Sequence, residues 1–573
     1  MDMKRIRRSL SSPTSPPDLD CETGAYRPSG ERKHGGQMLR LVTVIVCFLG
    51  FLLLMAAVSG FHRNPSFNHL RQFTESGHVE LNAGLEEEQL ESSKSQKAKE
   101  DRFLGGLLAA GFEEQSCLSR YQSASFRKSH SHSPSDYLRR RLRKYEELHQ
   151  KCAPNSDLYN TAAEQLKPGR RGSQTTDCSY VVWISYSGLG NRMLTLASAF
   201  LYALLTNRVL LVDRGADLTD LFCEPFPGAS WLLPLDFPLS QFRNFNISSP
   251  ESYGNMLKKN VINNISQNLP PPPFMYLHLG HDYGEHDKLF FCQDDQHLLR
   301  GVPWLVLRSD NYFVPSLFLI PSYEEELGKL FPKRDAVFHH LARYLLHPTN
   351  SVWGLITRYY QSYLAGADER VGIQIRVFEN ESGTFQHVLE QVLRCTQNQK
   401  ILPQVAARNE TVLITNDKRL KAVLLTSLSS GYADLIRNMY WEHPAITGEM
   451  ISVHQPSHEE HQQTDKQTHN MKAWAEMYLL SLTDVLVTSA WSTFGYVAQG
   501  LGGMKPWILV KPENRMVPDP PCLLAMSMEP CFHAPPFYDC KTKRGADTGE
   551  MVPHVRHCED MSWGLKVVDR DNW

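Results

Sequence analysis

The chain has 573 residues, 21% of them charged, and a formal net charge of −2. That length excludes a miniprotein and allows two or three domains, and the charge balance provides no basic field of the kind that gathers nucleic acid. No nucleic-acid partner is expected.

In chain order, residues 1–40 form a basic tail carrying Lys4, Arg5, Arg7, Arg8, Arg27, Arg32, Lys33 and Arg40 against five acids. Residues 41–61, "LVTVIVCFLGFLLLMAAVSGF", carry no charge and would span roughly 31 Å as a helix, enough for one membrane crossing. The positive flank places the N-terminus in the cytosol and the remainder in the lumen or outside. A cleaved signal peptide is the alternative, but a 40-residue lead is longer than an ordinary n-region, so an uncleaved anchor is expected. Residues 62–100 are polar, with "ESSKSQKAKE", and read as a stem. Sequons open at Asn246, Asn264, Asn380 and Asn409. The ten cysteines from Cys117 onward include no C-x-x-C, which favours disulfides over zinc while leaving the pairing open.

Two α/β domains are expected, 101–350 and 351–573. In the first, "YVVWISYS", a helix over about 192–206 and "RVLLVD" make a βαβ unit. Residues 243–273, which end in four prolines, read as an exposed loop. A second series opens after the helical "HPTNSVWGLITRYYQSYL". Its strands are "VGIQIRVF", "KAVLLTSL", "DVLVTS" and "PWILV"; its helices are 431–440, 471–481 and one from about Phe494. No repeat of 20–50 residues occurs, so solenoids and propellers drop out. Ligands in such sheets bind outside the carboxyl ends of the strands, here in the cleft between the domains.

Several residues could do chemistry there. "SGLGNR" resembles a dinucleotide-binding turn, but the third glycine position falls on Met193, so the fingerprint fails and a nicotinamide oxidoreductase is disfavoured. Asp213 then reads as a turn residue rather than a ribose clamp. In "DVLVTSAWSTFGYVAQGLGG", Ser489, Ser492 and Thr493 crowd a strand-to-helix turn where free N–H groups suit a phosphate; an ordinary N-cap explains the same hydroxyls. Arg376, at the carboxyl end of an apolar strand, can hold a diphosphate with two parallel hydrogen bonds, or can pair with Glu379 or Glu381. Glu476 can accept both N1–H and the 2-amino group of guanine, or can be a solvated helix residue. Asp310 in "RSDNYF" is the candidate base, with Asp560 a second option. The cluster "HDYGEHD" (281–287) has hard-metal ligand types but reads as surface hydrogen bonding, and the D-x-D at Asp569 to Asp571 lies in the tail. No metal site is expected.

The stretches "SGLGNRMLTLASAFLYALLTNRVLLVDRG", "FCEPFPGASWLLPLDFP", "VPWLVLRSDNYFVPSL", "VGIQIRVF", "TSAWSTFGYVAQGLGG" and "MSMEPCFHAPPFYDC" closely resemble the plant α-1,2-fucosyltransferases, most of all the xyloglucan fucosyltransferases, from about residue 101 onward. The resemblance implies an α/β, GT-B-like fold of two Rossmann-type domains facing a cleft, after an N-terminal single-pass anchor in the Golgi membrane. Residues 101–350 would form the acceptor side and 351–573 the donor side. It implies inverting transfer of fucose from GDP-fucose, without metal or other cofactor, to O2 of a terminal galactose. Galactosylated xyloglucan is the expected acceptor, arabinogalactan-protein glycans the alternative, and a non-catalytic Golgi scaffold of the same fold a further one. A homodimer stands as an open expectation. Arg376 matches the family's diphosphate-binding arginine. Ser489, Ser492, Thr493 and Phe494 match a donor loop, and Glu476 an acidic guanine contact. Gly188, Gly190, Asn191 and Arg192 match a Gly-rich turn facing the donor, where the glycines permit close approach and Asn191 and Arg192 reach the fucose or phosphates.

Overall fold

A computed structural model describes residues 103–127, 132–167, 177–215, 217–262, 271–377, 385–407, 419–512 and 516–569. The basic tail, the 41–61 segment, the stem and the sequons at Asn264, Asn380 and Asn409 lie outside the described residues. Among the described residues no helix is long and apolar enough to cross a membrane. Asn246 is exposed, and its side-chain oxygen accepts from the Ser248 amide at 2.9 Å.

Short, mostly apolar runs make parallel strands, the central ones buried on both faces. The first sheet has the order β2-β1-β4-β3, from β1 (Tyr180–Trp183), β2 (Val209–Val212), β3 (Phe274–His278) and β4 (Trp304–Arg308). Tyr180 pairs with both Val209 and Trp304, so β1 is central. The second sheet has the order β10-β9-β8-β5-β6-β7, from β5 (Glu369–Gln374), β6 (Leu420–Thr426), β7 (Met450–His454), β8 (Val485–Ser489), β9 (Trp507–Leu509) and β10 (Cys522–Leu524). Only β10 runs antiparallel within it. In the second sheet the chain winds outward from β5 to β7 and then, from β8, outward the other way; in the first it runs from β1 to β2, crosses to the far edge at β3 and comes inward to β4. The strand order therefore reverses between β1 and β4, and again between β5 and β8.

Eight principal helices flank these sheets: α1 (Asp136–Lys151), α2 (Leu189–Thr206), α3 (Val337–Leu345), α4 (Asn350–Tyr363), α5 (Phe385–Asn398), α6 (Gly431–Glu442), α7 (Gln467–Leu480) and α8 (Thr493–Gly502). α2 is apolar almost all round and is accordingly buried along nearly its whole length. It ends at Asn207 in the left-handed conformation, φ 53°, a common helix stop. One apolar cluster runs through Trp183, Phe200, Phe338, Tyr344, Trp474, Tyr496 and Leu501, uniting residues from both sheet systems.

After β10 the chain returns toward the first sheet. Glu529 is buried, accepting from Tyr312 Oη at 2.6 Å and from the Phe338 amide at 2.7 Å. A small ribbon of β11 (Val555–His557) and β12 (Leu565–Val567) follows. All ten cysteines from Cys117 onward are disulfide-bonded: Cys117–Cys223, Cys152–Cys178, Cys292–Cys540, Cys395–Cys522 and Cys531–Cys558. Disulfide bonding was legible from their number, but the partners were not.

Three expectations need correction. α2 begins at Leu189 rather than near Arg192, because Gly190 and Asn191 enter its first turn. The 243–273 segment is not wholly an exposed loop: a helix at Tyr253–Lys258 buries Tyr253, whose hydroxyl donates to Asp295 at 2.6 Å. The strands β3, β7, β10, β11 and β12 went unread, β7 because it is a half-exposed edge strand with a weak apolar run.

Candidate functional site

Both reversal points carry a strand-to-helix turn with a non-glycine residue in the left-handed region, Ser187 (φ 70°) before α2 and Trp491 (φ 61°) before α8. Such backbone concentrates at functional sites because the surroundings must hold it there. The Trp491 turn is fastened by Asp560, which accepts the Trp491 amide at 3.0 Å on Oδ2 and its indole N–H on the backbone carbonyl.

The two turns bring two helix N-termini together. Gly188 caps α2 without a side-chain acceptor, whereas Ser492 caps α8 by accepting from Gly495. The contact is close: a Cβ on Gly190 would lie 2.7 Å from Thr493 Oγ1 and 2.9 Å from the Thr493 carbonyl carbon. Gly190 thus permits close approach, but of one helix to the other. Gly190→Ala is expected to destabilise the fold by about 1–3 kcal/mol through overpacking, read as a lowered Tm. Asn191 ties three elements, its amide donating to the Asp310 carbonyl at 2.9 Å and its oxygen accepting from Thr493 Oγ1 at 2.9 Å.

These N-termini open on a cavity of about 340 Å³. Gly188, Gly190, Asn191, Arg376, Glu476, Ser492, Thr493 and Phe494 all line it, so eight of the eleven residues expected from sequence converge on one space. Two aligned helix N-termini and a guanidinium give it a positive field suited to a polyanion. Arg376 lies two residues beyond β5. Its amide donates to Ser489 Oγ at 2.9 Å and its guanidinium to Gln462 Oε1 at 3.0 Å. Gln374 Oε1 accepts from Thr488 Oγ1 at 2.7 Å and the Ser489 amide at 3.3 Å, locking the ends of β5 and β8 together.

Glu476 points from α7 into the far side of the cavity and is buried, accepting from Ser457 Oγ at 2.5 Å. Burial raises its pKa to about 7, with the Ser457 hydrogen bonds opposing that rise. It is therefore no solvated helix residue. Neighbouring Glu459 is held below the ordinary carboxylate range by its hydrogen bonds to Lys472 and His469.

Three expected residues sit elsewhere. Arg192 is buried in an ion pair with Asp217 (2.8 Å), which also accepts from Asn470 on α7, so it joins helices and lies outside the cavity lining. Ser489 likewise lies behind the lining, holding the Arg376 amide. Asp310 follows β4, but its carboxylate is engaged by the His281 amide and ring and by Asn311. That hydrogen bond raises the His281 pKa. Asp310 borders the cavity only through the carbonyl that holds Asn191.

Asp213 is a buried carboxylate paired with Arg243. Within "HDYGEHD", Asp282 pairs with His278, and Asp287 accepts the Gly254 and Gly284 amides. The grouping of Cys531, Cys558 and Asp560 is no metal centre, since its cysteines form a disulfide.

Sequence reading missed Ser457 and Gln462, which come from the polar stretch between β7 and α7, His469 and Asn470 from the start of α7, and His533 from the returning chain. The signal for the first two was the loop after β7, at the same carboxyl edge, but that strand was itself unread. His533 had no local signal.

The family profile described as xyloglucan fucosyltransferase matches residues 78–541. A Pisum sativum galactoside 2-alpha-L-fucosyltransferase is 63% identical over 491 residues, covering 86% of this chain and 86% of that one. An Arabidopsis thaliana galactoside 2-alpha-L-fucosyltransferase is 57% identical over 535 residues, covering 93% and 94%. The solved structure of an Arabidopsis thaliana FUT1 mutant in complex with GDP superposes with a TM-score of 0.76 at 60% identity, covering 82% of this chain and 100% of that one. With an α/β fold of two parallel sheets and likeness of this extent, the chain belongs to the xyloglucan fucosyltransferase family of glycosyltransferases.

Proposed function

We propose that the protein transfers L-fucose from GDP-fucose to O2 of a terminal galactose on xyloglucan side chains, with inversion at the anomeric carbon. The carrying observation is the convergence of two helix N-termini, Arg376 and the buried Glu476 on one cavity. GDP in the FUT1 relative and xyloglucan in the family description support the same donor and acceptor. On this reading Glu476 accepts from the guanine edge, and Arg376 with the first-turn amides of α2 and α8 meets the diphosphate. As the C1–O bond to GDP lengthens, negative charge grows on the diphosphate and a fixed positive field lowers that barrier. The same field makes a metal unnecessary. Residues 101–350 form the acceptor side and 351–573 the donor side. The 41–61 segment anchors the protein in the Golgi membrane, and five disulfides suit a lumenal position.

The test incubates the full-length protein, in detergent, with GDP-fucose, galactosylated xyloglucan oligosaccharide and EDTA, and reads the product by mass. One added deoxyhexose is expected, on galactose. Accumulating GDP without product would redirect the acceptor to arabinogalactan-protein glycans. Intact GDP-fucose would favour the scaffold, and loss of activity only with EDTA would overturn metal independence.

A further inference from the structure

His533 lines the same cavity as Arg376, Asn191 and Thr493. It lies two residues beyond Cys531, whose disulfide to Cys558 fixes this part of the returning chain beside the segment that carries Asp560. Its ring packs edge-on against Tyr496 of α8, centroids 5.5 Å apart. His533 Nε2 is 3.1 Å from Tyr496 Oη, and Tyr496 Oη is 2.5 Å from Asp560 Oδ2. Asp560 Oδ2 also accepts the Trp491 amide, so the carboxylate cannot swing away without releasing the turn before α8.

The chain of hydrogen bonds has one direction. An ionised carboxylate has no proton to give, so the phenol donates to Asp560 and accepts from His533. That places the imidazole proton on Nε2 and leaves the lone pair on Nδ1, since the one side-chain hydrogen bond of His533 among the described residues runs through Nε2. Asp310, the carboxylate across from it, is occupied by His281.

We propose that His533 is the residue that takes the acceptor hydroxyl proton, with Tyr496 and Asp560 as positioning residues that hold its tautomer and ring. This rests on the reading that the cavity holds GDP-fucose. In the step, the acceptor O2–H proton passes to His533 Nδ1 as O2 bonds to C1 of fucose. The C1–O bond to the β-phosphate breaks, and its electron pair leaves with GDP. The imidazolium so formed keeps its Nε2–H on Tyr496 and later releases the Nδ1 proton to water. Burial holds the His533 pKa below its ordinary value against the opposing pull of Asp560 and Asp310, so the ring is neutral and receptive at neutral pH. The groups facing it are Tyr496 on α8, Asp560 beside the disulfide, and Asp310 after β4, which is held by His281 from the segment after β3. Arg376 and Glu476 share the cavity.

The experiment compares wild type, His533→Gln, His533→Asn and Tyr496→Phe at saturating GDP-fucose and acceptor across pH, with GDP binding measured for each. For both His533 variants kcat is expected to fall about a hundredfold or more, the effect of losing a general base. GDP affinity should stay within about twofold, and the acidic limb of the kcat profile should vanish. Tyr496→Phe should keep the acidic limb but move it to lower pH, since the imidazolium loses an acceptor. GDP binding at wild-type affinity certifies the fold of each variant. If either folded His533 variant keeps kcat within about threefold with the limb intact, His533 is not the proton acceptor. A wild type that binds GDP without transferring fucose would instead defeat the parent reading, and the assignment with it.

Discussion

Arg376→Ala is expected to lower kcat/KM for fucosyl transfer by roughly a hundredfold or more, corresponding to about 3 kcal/mol of transition-state stabilisation. Most of the loss should fall on kcat, because the diphosphate gains charge only as the sugar departs. The side chain is presented rigidly: Gln374 locks β5 to β8, Ser489 holds the Arg376 amide, and Gln462 takes one guanidinium nitrogen. Arg376→Lys keeps the charge but loses the planar fork, so it should recover only part of the rate. Steady-state kinetics with GDP-fucose decide it, and wild-type turnover in Arg376→Ala would remove the residue from the mechanism.

Glu476→Gln should weaken GDP binding by roughly a hundredfold, since two charge-assisted hydrogen bonds are lost and the new amide N–H₂ opposes a guanine donor. It should also erase most of the preference for GDP over ADP. The free carboxyl has a pKa of about 7, raised by burial, and only its ionised form accepts from guanine. Protonation therefore competes with GDP. Wild-type affinity should be flat well above pH 7 and fall as pH drops below it, approaching tenfold per unit. The Gln variant should lack this slope. Titration calorimetry across pH reads both effects, and a pH-independent wild-type affinity would place guanine elsewhere.

Much of the cavity lining was legible because its residues sit in continuous stretches. Arg376 follows an apolar strand and Ser492 to Phe494 open a helix, so local pattern found residues that tertiary folding then brought together. Glu476 needed the family resemblance, since nothing in a lone helix shows that one face closes a cavity. Arg192 shows the opposite failure. An arginine in a Gly-rich turn reads as a ligand contact until the helix start is fixed at Leu189, after which it meets Asp217. His533 was invisible because its partners, Tyr496 and Asp560, lie 37 and 27 residues away and meet only through the returning chain. Strand reading failed at β7 for want of an apolar run, and the loop it carries was lost with it.

The returning chain also sets a timetable for biosynthesis. Cys292 belongs to the first sheet's surroundings, yet its partner Cys540 is synthesised 248 residues later. At ordinary translation rates of about 5–20 residues per second, that thiol waits on the order of 10–50 s for its partner, and during the wait Cys395, which needs Cys522, is synthesised as well. Over the same interval Tyr312 and the Phe338 amide lack the Glu529 carboxylate they will both contact. The first half therefore matures last. A ribosome that stops short of residue 540 releases a chain with an orphan thiol, and in an oxidising compartment that thiol is the mark by which an unfinished molecule can be recognised and retained.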